Sequence, residues 1–259
     1  MRTLPAALNL AVATVLLAGC HSAAELPAKA AEATAAARAA ATDARPVVPR
    51  PAVGALFLGG TDTHTCTASV IHSTSQDLIL TAAHCLAAGL PATFVPGFNE
   101  SAAAGDVWTV DTVYLDSRWV ATQDPAADYA FARVSRAAGG AVEAVTGQAL
   151  TLGTAQSGPV TVIGYPMGDG GPPLGCDTNA GSDRGYPWLR CNGLGDGTSG
   201  GPWIRGATVI GVIGGRDGGG CQDNVSYSSP FDAATAALLT RAEAGGPGDD
   251  APQEFDSEC

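Results

Sequence analysis

The sequence predicts an all-β fold with one helix near its C-terminal end. Short apolar or alternating runs recur from residue 53 onward, and turn residues separate them. Glycine and proline, at 34 and 17 of 259 residues, suit many short strands joined by tight turns. Runs of this length and spacing are typical of a sandwich or a barrel. They cover residues 53–58, 67–72, 78–80, 107–115, 129–134, 160–163, 201–204 and 209–213.

The first segment of the chain is predicted to be an export signal. Residues 4–18 form an apolar run preceded by Arg2, which is too short for a transmembrane helix. The run ends in Leu-Ala-Gly-Cys at residues 17–20, which resembles the bacterial lipoprotein box. The alternative is an ordinary secretory signal with a chance cysteine. We therefore expect residues 1–19 to be removed. The protein is then either secreted or held at the extracellular side of the cell membrane by lipid on Cys20.

Residues 20–50 are predicted to be a spacer. The stretch is rich in alanine and lacks the large apolar side chains that a core requires, so it should join no core. Prolines at 46, 49 and 51 favour an extended chain. The folded domain is expected at residues 51–242. An acidic tail is expected at 243–259.

The helix prediction concerns residues 233–241. Asp232 is a residue type that favours the N-cap position. The Gly-Gly-Pro at 245–247 ends the segment.

The formal net charge of −12 excludes two classes of partner. A chain this acidic lacks the basic surface that nucleic acids and anionic membranes attract. Any contact with a membrane is therefore expected only through the lipid anchor. A hydrophobic content of 46% is enough to build a sizeable core.

The seven cysteines suit an exported protein. Setting Cys20 aside for lipidation leaves an even number, which favours disulfides in an oxidising compartment. Spacing alone leaves their pairing open. A metal site built from His64, Cys66, His84 and Cys85 is disfavoured because the sequence has no Cys-x-x-Cys pair. We expect neither a metal nor an organic cofactor.

Three local patterns carry candidate catalytic residues. Thr-Ala-Ala-His-Cys at 81–85 contains His84, and Asp128 opens an apolar strand. Gly-Asp-Gly-Thr-Ser-Gly-Gly-Pro at 195–202 contains Ser199. A serine hydroxyl needs a base within hydrogen-bond reach, and histidine has a pKa that suits this task. Asp116 and Asp124 compete with Asp128, but Asp124 precedes a proline and is typical of a turn. His21, His64 and His72 are expected to be surface or loop residues.

In the order His, Asp, Ser, these patterns resemble the chymotrypsin-like (trypsin-like) serine proteases. The resemblance covers about residues 52–242, and is strongest to the bacterial extracellular subgroup related to the glutamyl endopeptidases. It implies two packed six-stranded antiparallel β-barrels with a boundary in residues 137–147. It also implies a monomeric secreted serine endopeptidase acting on proteins or peptides.

The resemblance implies a role for each residue of the site. His84 is the general base, Asp128 orients the imidazole, and Ser199 is the nucleophile. The backbone N–H groups of Gly197 and Ser199 form the oxyanion hole. Two rivals are an inactive homologue acting as a surface binding module and an esterase. The esterase is disfavoured because Ser199 lies outside any strand–helix alternation.

The resemblance also implies three disulfides. The pairs are Cys66–Cys85, Cys176–Cys191 and, from the two cysteines left over, Cys221–Cys259. A Cys191–Cys221 bridge is the main alternative for the last of these.

Two positions depart from the family pattern. Thr198 stands where pancreatic enzymes carry the Asp that pairs with a new N-terminus, so activation by that route is not expected. Gly214 stands where the family often has a supporting Ser, which costs a hydrogen bond to the triad.

The substrate-binding residues are predicted to be Gly193, Ile213, Gly214 and Gly215. By the resemblance, Gly193 stands where trypsin-type enzymes carry Asp, and Ile213 stands where glutamyl enzymes carry a His. Neither a basic nor a glutamyl preference is therefore indicated, and we expect a small or apolar residue before the cleaved bond. Asp217 could line the pocket and favour a basic residue instead, although its glycine-rich surroundings favour a turn.

Overall fold

The computed structural model describes residues 42–87 and 89–253. The predicted export signal at 1–19, the predicted lipidation site Cys20 and the predicted disulfide partner Cys259 lie outside these residues. The first eight strands are β1 (Thr42–Asp43), β2 (Arg45–Pro46), β3 (Val53–Leu58), β4 (His64–Ile71), β5 (Leu78–Thr81), β6 (Ala92–Pro96), β7 (Trp108–Leu115) and β8 (Ala130–Ser135). The other described strands are β9 (Thr151–Leu152), β10 (Gly158–Gly164), β11 (Leu174–Asp183), β12 (Tyr186–Asn192), β13 (Pro202–Arg205), β14 (Thr208–Val212) and β15 (Val225–Tyr227).

Strands β3 to β8 close into an antiparallel barrel in the order β3-β4-β5-β8-β7-β6. Closure leaves no unpaired strand edge exposed to solvent. Leu56, Val70 and Phe94 are fully buried and belong to one apolar cluster of the barrel. Gly54 lets β3 approach β6 closely, because a Cβ there would stand 2.1 Å from the carbonyl oxygen of Val95.

The remaining strands form a nine-stranded sheet together with β1 and β2. Its order is β1-β12-β11-β10-β13-β14-β9, with β15 paired to β12 and β2 paired to β11. Val162, Leu189 and Trp203 are fully buried in the apolar cluster of this sheet. The predicted all-β fold class is confirmed by the closed six-stranded barrel, the second sheet and the C-terminal helix. The second sheet has nine strands, where the resemblance implies six.

Helices are few in the described part of the chain. They are α1 (Ser117–Thr122), α2 (Val142–Thr146) and α3 (Ala233–Ala244). Helix α3 begins where the sequence predicts and runs beyond residue 241, and its N-cap is the predicted Asp232. The Asp232 carboxylate accepts a 2.8 Å hydrogen bond from the Ala234 N–H, and the Thr235 hydroxyl accepts one from the Asp232 N–H. No helix among the described residues is long and apolar enough to cross a membrane.

The folded domain starts earlier than the predicted boundary at residue 51. β1 pairs in parallel with Cys191 and Asn192 of β12, and β2 pairs antiparallel with Leu174 and Gly175 of β11. The prediction that residues 20–50 are only a spacer therefore needs correction for residues 42–46, which pair with the sheet although the side chains of both strands are exposed. The physical reason is that pairing at a sheet edge uses backbone N–H and C=O groups and requires no large apolar side chain.

The start of the predicted acidic tail packs on the barrel. The Asp249 N–H donates to the Val113 carbonyl over 2.9 Å, and the Asp249 carboxylate accepts the Leu115 N–H over 2.7 Å. The same carboxylate forms an ion pair with Arg241 of α3. These contacts hold the chain against β7 after the helix ends.

Two of the three disulfides that the family resemblance implies are present among the described residues. Cys66 is bonded to Cys85, and Cys176 is bonded to Cys191. The alternative Cys191–Cys221 pairing is wrong, because Cys191 is already bonded to Cys176. Cys221 is also disulfide-bonded.

Candidate active site

His84 lies on a short 3-10 turn, Ala83–Cys85, that directly follows β5. Its ring Nδ1 is 2.7 Å from Oδ2 of Asp128, and its backbone N–H donates to the other carboxylate oxygen over 2.9 Å. The His84 side chain is 11% exposed, whereas that of Asp128 is fully buried. Nδ1 is therefore engaged by the carboxylate, which sets the orientation of the ring.

Asp128 is held as a carboxylate by its surroundings. A third donor, the Gly215 N–H, reaches Oδ2 over 2.7 Å. Burial raises the pKa of the Asp128 carboxyl, but attraction to His84 and the hydrogen bonds from His84 and Gly215 outweigh it, so the pKa lies below its ordinary value. A carboxylate accepts from Nδ1–H and so selects one tautomer of the imidazole.

The two competing aspartates are engaged elsewhere. Asp124 caps the short turn Pro125–Ala127 by accepting the Ala126 N–H over 2.9 Å, which fits the turn role expected from the sequence. Asp116 binds the Arg118 guanidinium over 2.8 Å and the Tyr129 hydroxyl over 2.8 Å.

Ser199 lies in the turn between β12 and β13 and lines the same cleft as His84. Its carbonyl accepts the Thr67 N–H over 2.7 Å, which joins the turn to β4 of the barrel. Gly200 follows with φ of 78°. A Cβ at Gly200 would stand 2.1 Å from the Thr67 carbonyl oxygen, so only glycine fits this crossing.

Gly197 also requires the absence of a side chain. Its φ is 87°, and a Cβ would stand 2.1 Å from the Met167 nitrogen. The Met167 N–H donates to the Asp196 carbonyl over 2.8 Å. All described peptides are trans, and a trans peptide points its C=O and N–H in opposite directions. The Gly197 N–H therefore points away from Met167, as a donor to a bound oxygen atom would.

Thr198 is satisfied inside its own turn. The side chain is buried, and its hydroxyl donates to the Gly195 carbonyl over 2.6 Å. It packs on Gly164, where an added Cβ would stand 2.7 Å from the Thr198 Cβ. The turn thus takes its shape from local contacts at the position where pancreatic-type enzymes use an ion pair.

A family model described as a trypsin-like peptidase domain matches residues 66–212, which is more than half of the 259-residue chain. The chain belongs to this family. The predicted family is therefore confirmed, and the matched span contains His84, Asp128 and Ser199. No curated protein matches the sequence significantly.

Solved structures share the fold of this trypsin-like peptidase. Protease Anisep from Arthrobacter nicotinovorans is similar with a TM-score of 0.67 and 22% identity, over 78% of this chain and 100% of that one. The thermostable serine protease AL20 from an extremophilic microorganism is similar with a TM-score of 0.64 and 22% identity, over 76% of this chain and 98% of that one. A Glu endopeptidase is similar with a TM-score of 0.60 and 18% identity, over 80% of this chain and 99% of that one. At these identities the similarity shows the chymotrypsin-like fold.

The cleft of this trypsin-like peptidase has a volume of about 500 Å³. Besides His84 and Ser199, its apolar lining includes Leu58, Met167, Leu194 and Ile213. Ile213 is one of the predicted substrate-binding residues. The sequence did not indicate Leu58, Met167 or Leu194 as lining residues, because all three lie outside the motifs that contain His84, Asp128 and Ser199.

The other predicted substrate-binding residues, Gly193, Gly214 and Gly215, are not among the described residues that line the cleft. Gly193 is exposed, has φ of 85° and is not among the cleft-lining residues, whereas its neighbour Leu194 is. Gly214 and Gly215 pack behind Asp128. These two glycines therefore support Asp128 and do not line the cleft.

Carboxylates are the charged groups of the cleft wall. Asp196, Asp217 and Asp223 line it, and no lysine or arginine is among the described lining residues. Asp217 lies 3.6 Å from Nε of Arg216, which also binds Asp183 over 3.0 Å. The expectation that Asp217 lies in a turn holds, since its φ is 53°, but it also faces the cleft.

Three ligand-type side chains that line the cleft lie close to one another. Cys66, His84 and Cys85 approach closely enough to suggest a metal site. The two sulfur atoms are joined in a disulfide, however, and are not thiolates. The cluster is therefore explained by the bridge behind the histidine.

The expectation that His21, His64 and His72 are surface or loop residues is wrong for His64. It opens β4, is fully buried, and its ring packs against Phe57, Phe98 and Tyr165. Burial lowers the pKa of its imidazole below the ordinary value, and the Gly170 backbone and Asp169 oppose this effect. His72 is exposed as expected and binds Glu143 over 2.6 Å. His21 lies outside the described residues.

Proposed function

We propose that the protein is a serine endopeptidase with Ser199 as nucleophile, His84 as general base and Asp128 as the residue that orients it. The observation that carries the proposal is the 2.7 Å contact between His84 Nδ1 and Asp128 Oδ2 in a cleft that Ser199 also lines. Buried Asp128 would fix the tautomer of the imidazole, so that Nε2 is the ring nitrogen that acts on the serine. The family supplies the general reaction class, which is proteolysis.

The first half of the reaction forms an acyl-enzyme. Ser199 Oγ attacks the carbonyl carbon of the peptide bond, while His84 Nε2 takes the hydroxyl proton. The Gly197 and Ser199 N–H groups would hold the negatively charged oxygen of the tetrahedral intermediate. The C–N bond then breaks, and His84 delivers its proton to the leaving amine.

The second half of the reaction releases the acid product. A water molecule attacks the ester carbonyl while His84 takes one of its protons. The new tetrahedral intermediate collapses, the ester C–O bond breaks, and the proton returns to Ser199 Oγ. The free enzyme is regenerated without any cofactor in the scheme.

The cleft supports a preference against acidic residues near the cleaved bond. Asp196, Asp217 and Asp223 would repel a substrate carboxylate, and the apolar walls contributed by Leu194 and Ile213 favour apolar contact. We therefore propose protein or peptide substrates with neutral or basic residues in the cleft. A glutamyl preference is not proposed.

Export and attachment are part of the same proposal. The disulfides suit an oxidising compartment outside the cytosol. Together with the apolar run and Cys20 of the sequence, they support an exported, lipid-anchored or secreted enzyme. We propose a monomer.

The test is labelling of the mature protein by a fluorophosphonate probe. We expect covalent labelling of the parent and of Ser157→Ala, an exposed serine control. We expect none in Ser199→Ala and at least about a 1000-fold slower reaction in His84→Ala, because the serine then lacks its base. Internal cleavage of an unfolded protein, read by mass spectrometry, distinguishes an endopeptidase from an esterase.

Failure to label the folded, disulfide-intact parent would overturn the hydrolase proposal. The inactive binding module would then be the interpretation to pursue. Labelling of Ser199→Ala at the parent rate would show that another residue is the nucleophile.

A further inference from the structure

Thr67 is a fully buried residue of β4 that binds the nucleophile turn through both its backbone and its side chain. Its N–H donates to the Ser199 carbonyl over 2.7 Å. Its hydroxyl contacts the Gly197 carbonyl over 3.1 Å and the Tyr165 N–H over 2.8 Å. Its own carbonyl accepts the Thr81 hydroxyl over 2.7 Å. One residue thus connects four separate points of the chain.

The direction of the two side-chain hydrogen bonds follows from their partners. The Gly197 carbonyl can only accept, so the single hydroxyl proton of Thr67 goes to it. The Tyr165 N–H can only donate, so the Thr67 oxygen accepts from it. Serine could make the same pair of bonds, whereas valine has the same shape as threonine and could make neither.

The two peptides that flank Gly197 are held from opposite sides. The peptide before it is fixed because the Asp196 carbonyl accepts the Met167 N–H over 2.8 Å. The peptide after it is fixed because the Gly197 carbonyl accepts the Thr67 hydroxyl. Both dihedral angles of Gly197 are therefore constrained, and its φ of 87° is held in a region that glycine enters freely but does not favour over negative φ.

The Thr67 hydroxyl also anchors the strand exit that supplies Met167. Tyr165 directly follows β10 and lies two residues before Met167 in the chain. A shift of Tyr165 would move the Met167 N–H away from the Asp196 carbonyl. The loss of one hydroxyl would therefore loosen both peptides beside Gly197.

We infer that Thr67 is a positioning residue whose hydroxyl orients the Gly197 N–H toward the substrate oxygen. The inference rests on the proposed function, because an oxyanion-hole donor matters only in a hydrolase of this kind. Thr67 touches no reacting atom and acts through Gly197. Displacement of a reacting or stabilising group by about 1 Å can cost about 100-fold in rate.

The test compares Thr67→Val, Thr67→Ser and the parent at a temperature well below their unfolding midpoints. For Thr67→Val we expect kcat to fall about 10- to 100-fold, with KM changed by less than about 3-fold, because the oxyanion forms only after binding. The inhibition constant of a peptide aldehyde, which forms a tetrahedral adduct, should rise by a similar factor. Thr67→Ser should restore both values to within about 3-fold of the parent.

Thr178→Val serves as the stability control. The Thr178 hydroxyl donates to the Arg190 carbonyl over 2.8 Å within the second sheet. This variant should lower the unfolding midpoint while kcat and the aldehyde inhibition constant stay at parent values. Thr67→Ala replaces Thr67→Val in every comparison if the valine variant does not fold.

The outcomes separate this inference from the proposed function. A parent protein that neither labels nor cleaves contradicts the proposed function. An active parent whose Thr67→Val variant keeps the parent kcat and aldehyde affinity overturns the role of Thr67. Equal losses in Thr67→Val and Thr67→Ser would also overturn it, because the hydroxyl would then not be the group that acts.

Discussion

Gly215 donates its backbone N–H to Oδ2 of Asp128 over 2.7 Å, the same oxygen that binds His84. The sequence led us to expect a lost hydrogen bond at this place, because Gly214 lacks the serine hydroxyl common in the family. The backbone of the next residue supplies a donor instead. A main-chain donor has no side-chain torsions, so it loses little entropy when the bond forms.

The first prediction concerns Gly214. A Cβ at this position would stand 2.9 Å from Asp128 Oδ2 and 3.1 Å from the Ala82 Cβ. We expect Gly214→Ala to displace the carboxylate and to lower kcat about 10- to 100-fold, measured with a peptide substrate. Gly105→Ala is the control, since a Cβ there meets nothing within 4 Å. Parent-level kcat in Gly214→Ala would show that the triad tolerates a side chain here.

The second prediction concerns the charge of Asp128. Asp128→Asn keeps the shape of the side chain but removes the acceptor that selects the tautomer of His84. We expect kcat to fall about 10⁴-fold near neutral pH while the protein stays folded by circular dichroism. The exposed Asp106→Asn should retain parent kcat. A loss below tenfold in Asp128→Asn would contradict the role proposed for this carboxylate.

The third prediction concerns the acidic wall of the cleft. Peptides with glutamate next to the cleaved bond should have a lower kcat/KM than matched glutamine peptides, because carboxylates line the cleft. Asp223→Asn should narrow this difference about 2- to 5-fold, and added salt should narrow it as well. Asp106→Asn, remote from the cleft lining, should leave it unchanged. Faster cleavage of the glutamate peptides by the parent would exclude the proposed preference.

The fourth prediction compares the two disulfides. They close loops of similar length, with sequence separations of 19 and 15 residues. Replacing either pair by alanine should therefore lower the free energy of unfolding by a similar amount, about 3 kcal/mol. Only loss of Cys66–Cys85 should also lower kcat in the folded protein, because this bridge follows His84 directly. Chemical denaturation and kinetics below the transition measure the two effects, and equal kcat losses would contradict the distinction.

The fifth prediction concerns acid stability. The side-chain hydrogen bond from Arg118, together with the Arg118 backbone N–H, the Tyr129 hydroxyl and the Arg118 charge, lowers the pKa of Asp116 from 3.8 to about 2, against the opposing effect of burial. A carboxyl whose pKa is lower in the folded state stabilises the fold above its unfolded pKa. That stabilisation, about 1 kcal/mol after solvent screening, is lost as the pH falls from about 4 to 2. Urea denaturation across this range should show a smaller pH dependence in Asp116→Asn than in the parent, and identical slopes would exclude the effect.

The sequence predicted the parts of the fold and site that depend on local pattern. The contexts of His84, Asp128 and Ser199 are short contiguous motifs, so each residue could be named before its neighbours in space were known. Helix α3 was predictable for the same reason, because its N-cap residue Asp232 and its terminating glycines adjoin it. The closed barrel was predicted from the family that these motifs resemble.

Features that arise from pairing between distant segments were not predictable. Thr67 and Gly197 are 130 positions apart in the chain, and no local signal marks their hydrogen bond. The sequence pattern did not indicate the strand pairing of residues 42–46, because this pairing uses backbone groups and requires no apolar side chains. Burial of His64 depends on three aromatic rings, contributed by Phe57, Phe98 and Tyr165.

Thr198 closes its own turn through a 2.6 Å hydrogen bond to the Gly195 carbonyl, which lies three residues before it in the chain. A protease that waits for a new N-terminus matures in two stages, first folding and then being cut. If the protein acts as proposed, this turn takes its shape on folding and does not wait for such a cut. Control over where and when the chain folds, or over access to the cleft, would then be a means of restraining the enzyme.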